Sequence, residues 1–161
     1  MNDLLSCALE LQHLAHELMY LGMDGAPIYS DDFSRLNKDV LVKSDSLFLS
    51  KGSNTEEEAN LCLALLMGYN ATIYDNGDKE QKKQVVLDRI CEVLELLPTS
   101  LLKVRLLTYC YGEVYEESML QMAHVIIDSW DKDKLTSGQM EIIEELRNIE
   151  ENPYPFEEIE K

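Results

Sequence analysis

The sequence predicts an all-α protein of about seven helices, packed as stacked antiparallel helical hairpins in a single domain. Three observations carry this. Apolar residues recur at steps of three and four through most of the chain, the spacing of one helical face. Gly (7) and Pro (4) are scarce among 161 residues, too few for the many turns of a sandwich or barrel. Ser, Thr and Asp stand ahead of the apolar runs as caps, and Gly, Asn or Pro follow them.

The first helix is expected from about Asp3 to Leu21, with Leu4, Ala8, Leu11, Ala15, Leu18 and Met19 on one stripe. Gly22 and Gly25 stop it and Pro27 follows. Ser30 is placed to cap the second helix, and Asp31 and Asp32 suit the positive end of its macrodipole. Its buried face is Phe33, Leu36, Val40 and Leu47, ending at Lys51-Gly52. Thr55 to Glu58 reads as a capping box, Glu58 reaching back to the Thr55 amide. The third helix then runs through Ala59, Cys62, Leu63, Leu66, Tyr69 and Ile73 to the turn Asp75-Asn76-Gly77-Asp78. The fourth buries Val85, Val86, Ile90, Val93, Leu94 and Leu97, and Pro98 closes it.

Thr99 or Ser100 opens a hairpin over Leu101–Trp130. Its first helix is apolar on nearly all sides, which requires protein all round it. Gly112 is expected at the turn, taking positive φ, and this hairpin is expected at the centre of the domain. In its second helix Met119, Leu120, Met122, Ala123, Ile126, Ile127 and Trp130 form the buried stripe. Thr136 and Gln139 make a capping box for the seventh helix, which carries Met140, Ile143, Leu146 and Ile149. The domain therefore spans 1–151, and residues 152–161 form a Pro- and Glu-rich tail. Tyr74-x-x-Gly77 and Tyr109-x-x-Gly112 stand 35 residues apart, a period near that of tetratricopeptide hairpins.

Charge limits the function. The net charge is −17. Residues 113–161 hold 14 acids against 4 bases, and residues 1–112 hold 17 against 10. Such a field opposes direct binding to a phosphate backbone and favours a basic protein partner, although acidity also serves solubility. Cys7, Cys62, Cys91 and Cys110 all sit in apolar helical patterns with no CxxC pair, and read as buried free thiols of a reducing compartment. The N-terminal stretch lacks a basic region and carries Asp3, Glu10 and Glu17, so it is no signal peptide, and no apolar run spans a bilayer. A cytoplasmic location follows.

No constellation of catalytic residues emerges. Glu10, His13, His16 and Glu17 lie on one helix, but the rest of a carboxylate-bridged or zinc site has no partner in the sequence. P-loop, nucleophile-elbow and dinucleotide fingerprints are absent. The reading is therefore of a non-enzyme with no cofactor and no metal. What remains is surface. Tyr69, Asn70, Tyr74, Asp75 and Asn76 cluster near one turn, and Tyr109, Tyr111, Glu113 and Tyr115 near the next. Tyrosines beside acids make effective partner-binding residues, or else pack at helix ends with their hydroxyls in water.

Three blocks carry a family resemblance: Ala26–Asn37 (APIYSDDFSRLN), Tyr69–Asp78 (YNATIYDNGD) and Leu101–Trp130. Through them the chain resembles the UpxZ-type proteins of Bacteroides over nearly its whole length. The resemblance implies a small cytoplasmic regulator that antagonises transcription antitermination at capsular polysaccharide loci. The implied partners are NusG-like, UpxY-type antiterminators, with the partner of the regulator's own locus spared. It implies neither a membrane nor direct nucleic-acid binding, and carries no functional residue map. The competing classes are a helical-repeat scaffold for an unrelated peptide and a metal-binding helical enzyme using the histidines of the first helix.

Overall fold

The computed structural model describes residues 3–21, 30–73 and 78–151. Among them are seven helices and no strand: α1 (Leu4–Met19), α2 (Ser30–Leu47), α3 (Thr55–Ala71), α4 (Lys79–Leu96), α5 (Leu101–Val114), α6 (Glu117–Asp128) and α7 (Ser137–Glu151). They gather into two compact units, Met1–Leu97 and Pro98–Lys161. The expected tail, 152–161, lies outside the described residues, as do the first loop's Gly22, Gly25 and Pro27.

In the first unit α3 is the axis. Every residue from Ala59 to Tyr69 is buried, three full turns with water on no side. That requires neighbours all round, and α1, α2 and α4 supply them. Two of the polar side chains in this core, Gln12 and Asn60, meet each other. Gln12 Nε2 donates to Asn60 O at 2.9 Å and to Asn60 Oδ1 at 3.2 Å, while Asn60 Nδ2 donates to Glu56 O. Gly68 lets the helices close. A Cβ there would lie 2.2 Å from Ser44 Oγ on α2 and 3.6 Å from Leu11 Cδ1 on α1.

In the second unit α5 holds the same position. Leu106 through Tyr111 are buried, with α6 and α7 packed against it. The two-residue turn from α5 to α6 returns the chain as an antiparallel neighbour. The expectation that the Leu101–Trp130 hairpin alone forms the centre is therefore corrected. Each unit has its own central helix, and the more completely buried one is α3.

Local chemistry sets the helix starts. Asp3 accepts from Ser6 N at 2.6 Å, and Ser100 accepts from Lys103 N at 3.2 Å. Thr136 and Gln139 form a reciprocal box: Gln139 N donates to Thr136 Oγ1 and Thr136 N to Gln139 Oε1. At α3 the cap lies one residue before the expected Thr55. Asn54 Oδ1 accepts from Glu57 N at 2.8 Å, and Glu57 reaches back to Ser53 N. Glu58 is occupied elsewhere, accepting from Gly52 N and from Arg89.

Several helix ends also differ from the sequence reading. α2 stops at Leu47 rather than near Lys51. The carbonyls of Phe48 and Ser50 turn instead to the Arg89 guanidinium, at 3.3 and 2.9 Å. Gly112 lies inside α5, not at its turn, and the left-handed residue is Tyr115, at φ 55° and ψ 35°. Several residues assigned to buried stripes are exposed, namely Val85, Met122 and Met140, as is Ile73, which lies beyond the end of α3 at Ala71. Cys62 and Cys110 are buried as expected, but Cys7 is half-buried and Cys91 exposed. Units of four and three helices cover only part of most helices' circumference, so a wide apolar stripe leaves its margins in water.

Candidate partner-binding surface

The tyrosines singled out by sequence divide between the units. At the end of α3, Tyr69 is fully buried. Its hydroxyl donates to Asp45 Oδ1 at 2.7 Å, and Lys82 Nζ donates to the same oxygen at 3.0 Å. Lys82 also pairs with Asp78 at 3.3 Å and lies over the Phe48 and Tyr69 rings. The two rings meet edge-on, 6.2 Å apart. Tyr69 thus anchors α3 to α2 and α4. Asn70 beside it is half-buried, and its Oδ1 is enclosed without a hydrogen-bond partner. Tyr74, Asp75 and Asn76 lie outside the described residues.

In the second unit Tyr109 and Tyr111 are each 8% exposed. Tyr109 borders a cleft of about 180 Å³ shared with Arg105, Glu141 and Glu145. Burial, and next the Glu145 carboxylate, push its hydroxyl well above the ordinary tyrosine range, with Arg105 opposing. Tyr111 packs edge-on against Tyr115, ring centres 5.7 Å apart. Glu113 and Tyr115 are half-buried. Of the second cluster, Glu113 and Tyr115 face solvent in part, and Tyr109 and Tyr111 stand behind them.

Two open grooves were not foreseen. One, of about 670 Å³, runs along the end of α1 and the first half of α2 and mixes Leu36 and Val42 with Glu17, Arg35 and Asp39. The other, of about 430 Å³, lies between α5 and α6, where Lys103 faces Ser118, Met122, Val125 and Ile126. On α1, His13 is exposed and His16 packs against Tyr20 at 4.6 Å. Among the described residues no three His, Cys, Asp or Glu side chains are grouped to hold a metal ion. No described helix is long and apolar enough to cross a membrane.

A family model described as the UpxZ family of transcription anti-terminator antagonists matches residues 8–112. The chain belongs to this family. It is also similar to the crystal structure of a transcription anti-terminator antagonist UpxZ from Bacteroides uniformis ATCC 8492. The two share 64% identity over 98% of each chain, with a TM-score of 0.88. No curated protein matches the chain. The UpxZ match begins inside α1 and ends inside α5, so it takes in most of α1, all of α2–α4 and most of the second unit's central helix. The α5–α6 groove has its α6 wall beyond that match. The sequence signal for this groove was present in Val125, an apolar residue off the α6 stripe.

Proposed function

We propose that this protein binds NusG-like, UpxY-type antiterminators in the cytoplasm and so suppresses readthrough at capsular polysaccharide loci, sparing the antiterminator of its own locus. Membership of the UpxZ family carries this reading. The charge supports it: a protein at −17 is repelled by phosphate backbones and attracted to a basic face of a nucleic-acid-associated protein. The proposed contact residues are, in the first unit, Asn70 in the last turn of α3 with Tyr74, Asp75 and Asn76 beyond it in sequence, and, in the second unit, Glu113 and Tyr115 at the end of α5. Tyr69 anchors α3 from the core, and Tyr111 packs against Tyr115 at the end of α5. The protein acts by occupancy, with no bond made or broken.

In vitro transcription across one capsular leader tests this. With a non-cognate antiterminator present, adding the protein should return readthrough to the level seen without antiterminator. Unchanged readthrough at saturating protein contradicts the proposal.

A further inference from the structure

The exposed side of α6 sets Met122 and Val125 beside the polar Ser118 and Gln121, with an acid toward each end. Met122 and Val125 are 41% and 70% exposed. With Ile126 and the α5 residue Lys103 they line the open groove of about 430 Å³. Beyond the groove's lining, Glu117 lies five residues before Met122 and Asp128 three residues after Val125, and both are exposed. From 113 to 131 the chain carries Glu113, Glu116, Glu117, Asp128 and Asp131 and no lysine or arginine. Glu117 in the first turn suits the helix dipole, whereas Asp128 in the last turn opposes it. The last turn of α6 holds no basic residue, although Lys132 donates to the Ile127 carbonyl. Helix stability therefore does not account for the acid at that end. Lys103, the one base of the groove, is half-buried.

We infer that this groove docks an amphipathic helix of the antiterminator, an assignment that rests on the function proposed above. The apolar face of that helix covers Met122, Val125 and Ile126, the side-by-side anchors of helix-in-groove recognition. Its lysines or arginines flank the apolar residues and meet Glu117 and Asp128. These acids are eleven residues apart, roughly 16 Å along a helix, so the partner's bases are spaced about three helical turns apart. Charge decides against the other occupants. A second copy of this chain would set acids against acids, and a nucleic acid would set phosphates against them.

The test titrates a purified non-cognate NusG-like antiterminator into the full chain and into two surface double variants, M122S/V125S and E117K/D128K, each checked for helicity by circular dichroism. Both variants should bind at least tenfold more weakly. The loss in E117K/D128K should shrink at high salt, and that in M122S/V125S should not. If the unaltered chain binds and both variants bind equally well, the groove assignment is overturned and the proposed function stands. If the unaltered chain binds no antiterminator, the function falls and the groove with it. If the variants change only the protein's own sedimentation, the groove is a self-contact and the assignment is overturned.

Discussion

Arg89 on α4 grips Glu58 on α3 in a two-pronged pair, Nε to Oε2 and Nη2 to Oε1, each at 2.9 Å. The side chains are only 11% and 21% exposed. The same guanidinium donates to the carbonyls of Phe48 and Ser50, and Glu58 Oε1 accepts from Gly52 N. One planar cation thus ties α4, the start of α3 and the segment after α2 together. Planarity matters, because the fork serves four acceptors at once and an ammonium would not.

Removing one partner strands the other. Arg89→Ala should destabilise the fold by about 3 kcal/mol, in the range for a broken, mostly buried pair. Arg89→Lys should recover only a minor part of that loss. Chemical denaturation of the three proteins measures it, and an Arg89→Ala protein as stable as the parent would remove the pair from the account.

Acid should loosen the same clamp. Burial works against the Glu58 charge, but hydrogen bonds from Arg89 and the Gly52 amide outweigh it and hold the carboxyl below its ordinary range. A depressed carboxyl stabilises the fold above its unfolded pKa, and that stabilisation is lost as pH falls through the folded value. The stability gap between the parent and Glu58→Gln should therefore be full at pH 7 and narrow steadily below about pH 4, near the ordinary Glu value. A gap constant from pH 7 to pH 3 would contradict this.

Gly68 should resist the usual helix stabilisation. Gly→Ala inside a helix normally contributes about 1 kcal/mol, but here the new Cβ meets Ser44 Oγ at 2.2 Å. Ser44 Oγ is itself held by donating to Val40 O at 2.8 Å. Gly68→Ala should destabilise, and Ser44→Ala should rescue it, since the remaining Ser44 Cβ stands 3.4 Å away. A coupling of about 1 kcal/mol is expected in a double-mutant cycle. Additive effects would mean that α2 and α3 part freely at this point.

Tyr115 carries backbone strain that its ring offsets. A side chain in the left-handed region costs about 1 kcal/mol, and the edge-on contact with Tyr111 returns a similar amount. Tyr115→Gly should therefore change stability little, while Tyr115→Val, stiff and ringless, should cost about 2 kcal/mol. Thermal melts of the pair decide it. Equal losses would show that the ring alone matters.

What was legible in the sequence was mostly local. Ser100 and the Thr136–Gln139 box lie within three residues of the amides they serve, so the spacing states their role. The Thr55 cap and the Gly112 turn were misplaced because distant groups decide them: Arg89 draws Glu58 away, and Tyr115 leaves the helix with its ring against Tyr111. The central position of α3 was ambiguous, since α3 and α5 are both apolar on nearly all sides and neighbours are not written in either. The same holds for the surface. Tyr69 looks like an interface residue until Asp45, 24 positions earlier, is found to accept its hydroxyl. Met122 fits the α6 stripe by spacing, yet it stays 41% exposed and lines the groove beside Lys103 of α5.

The central claim is that this acidic protein works by seizing a basic antiterminator. Calorimetric titration of a non-cognate NusG-like antiterminator at 50 mM and 500 mM salt tests it most directly. The account predicts tight binding at low salt, weakened at least tenfold at high salt as counterions screen the −17 charge. No heat of binding at either salt would contradict it.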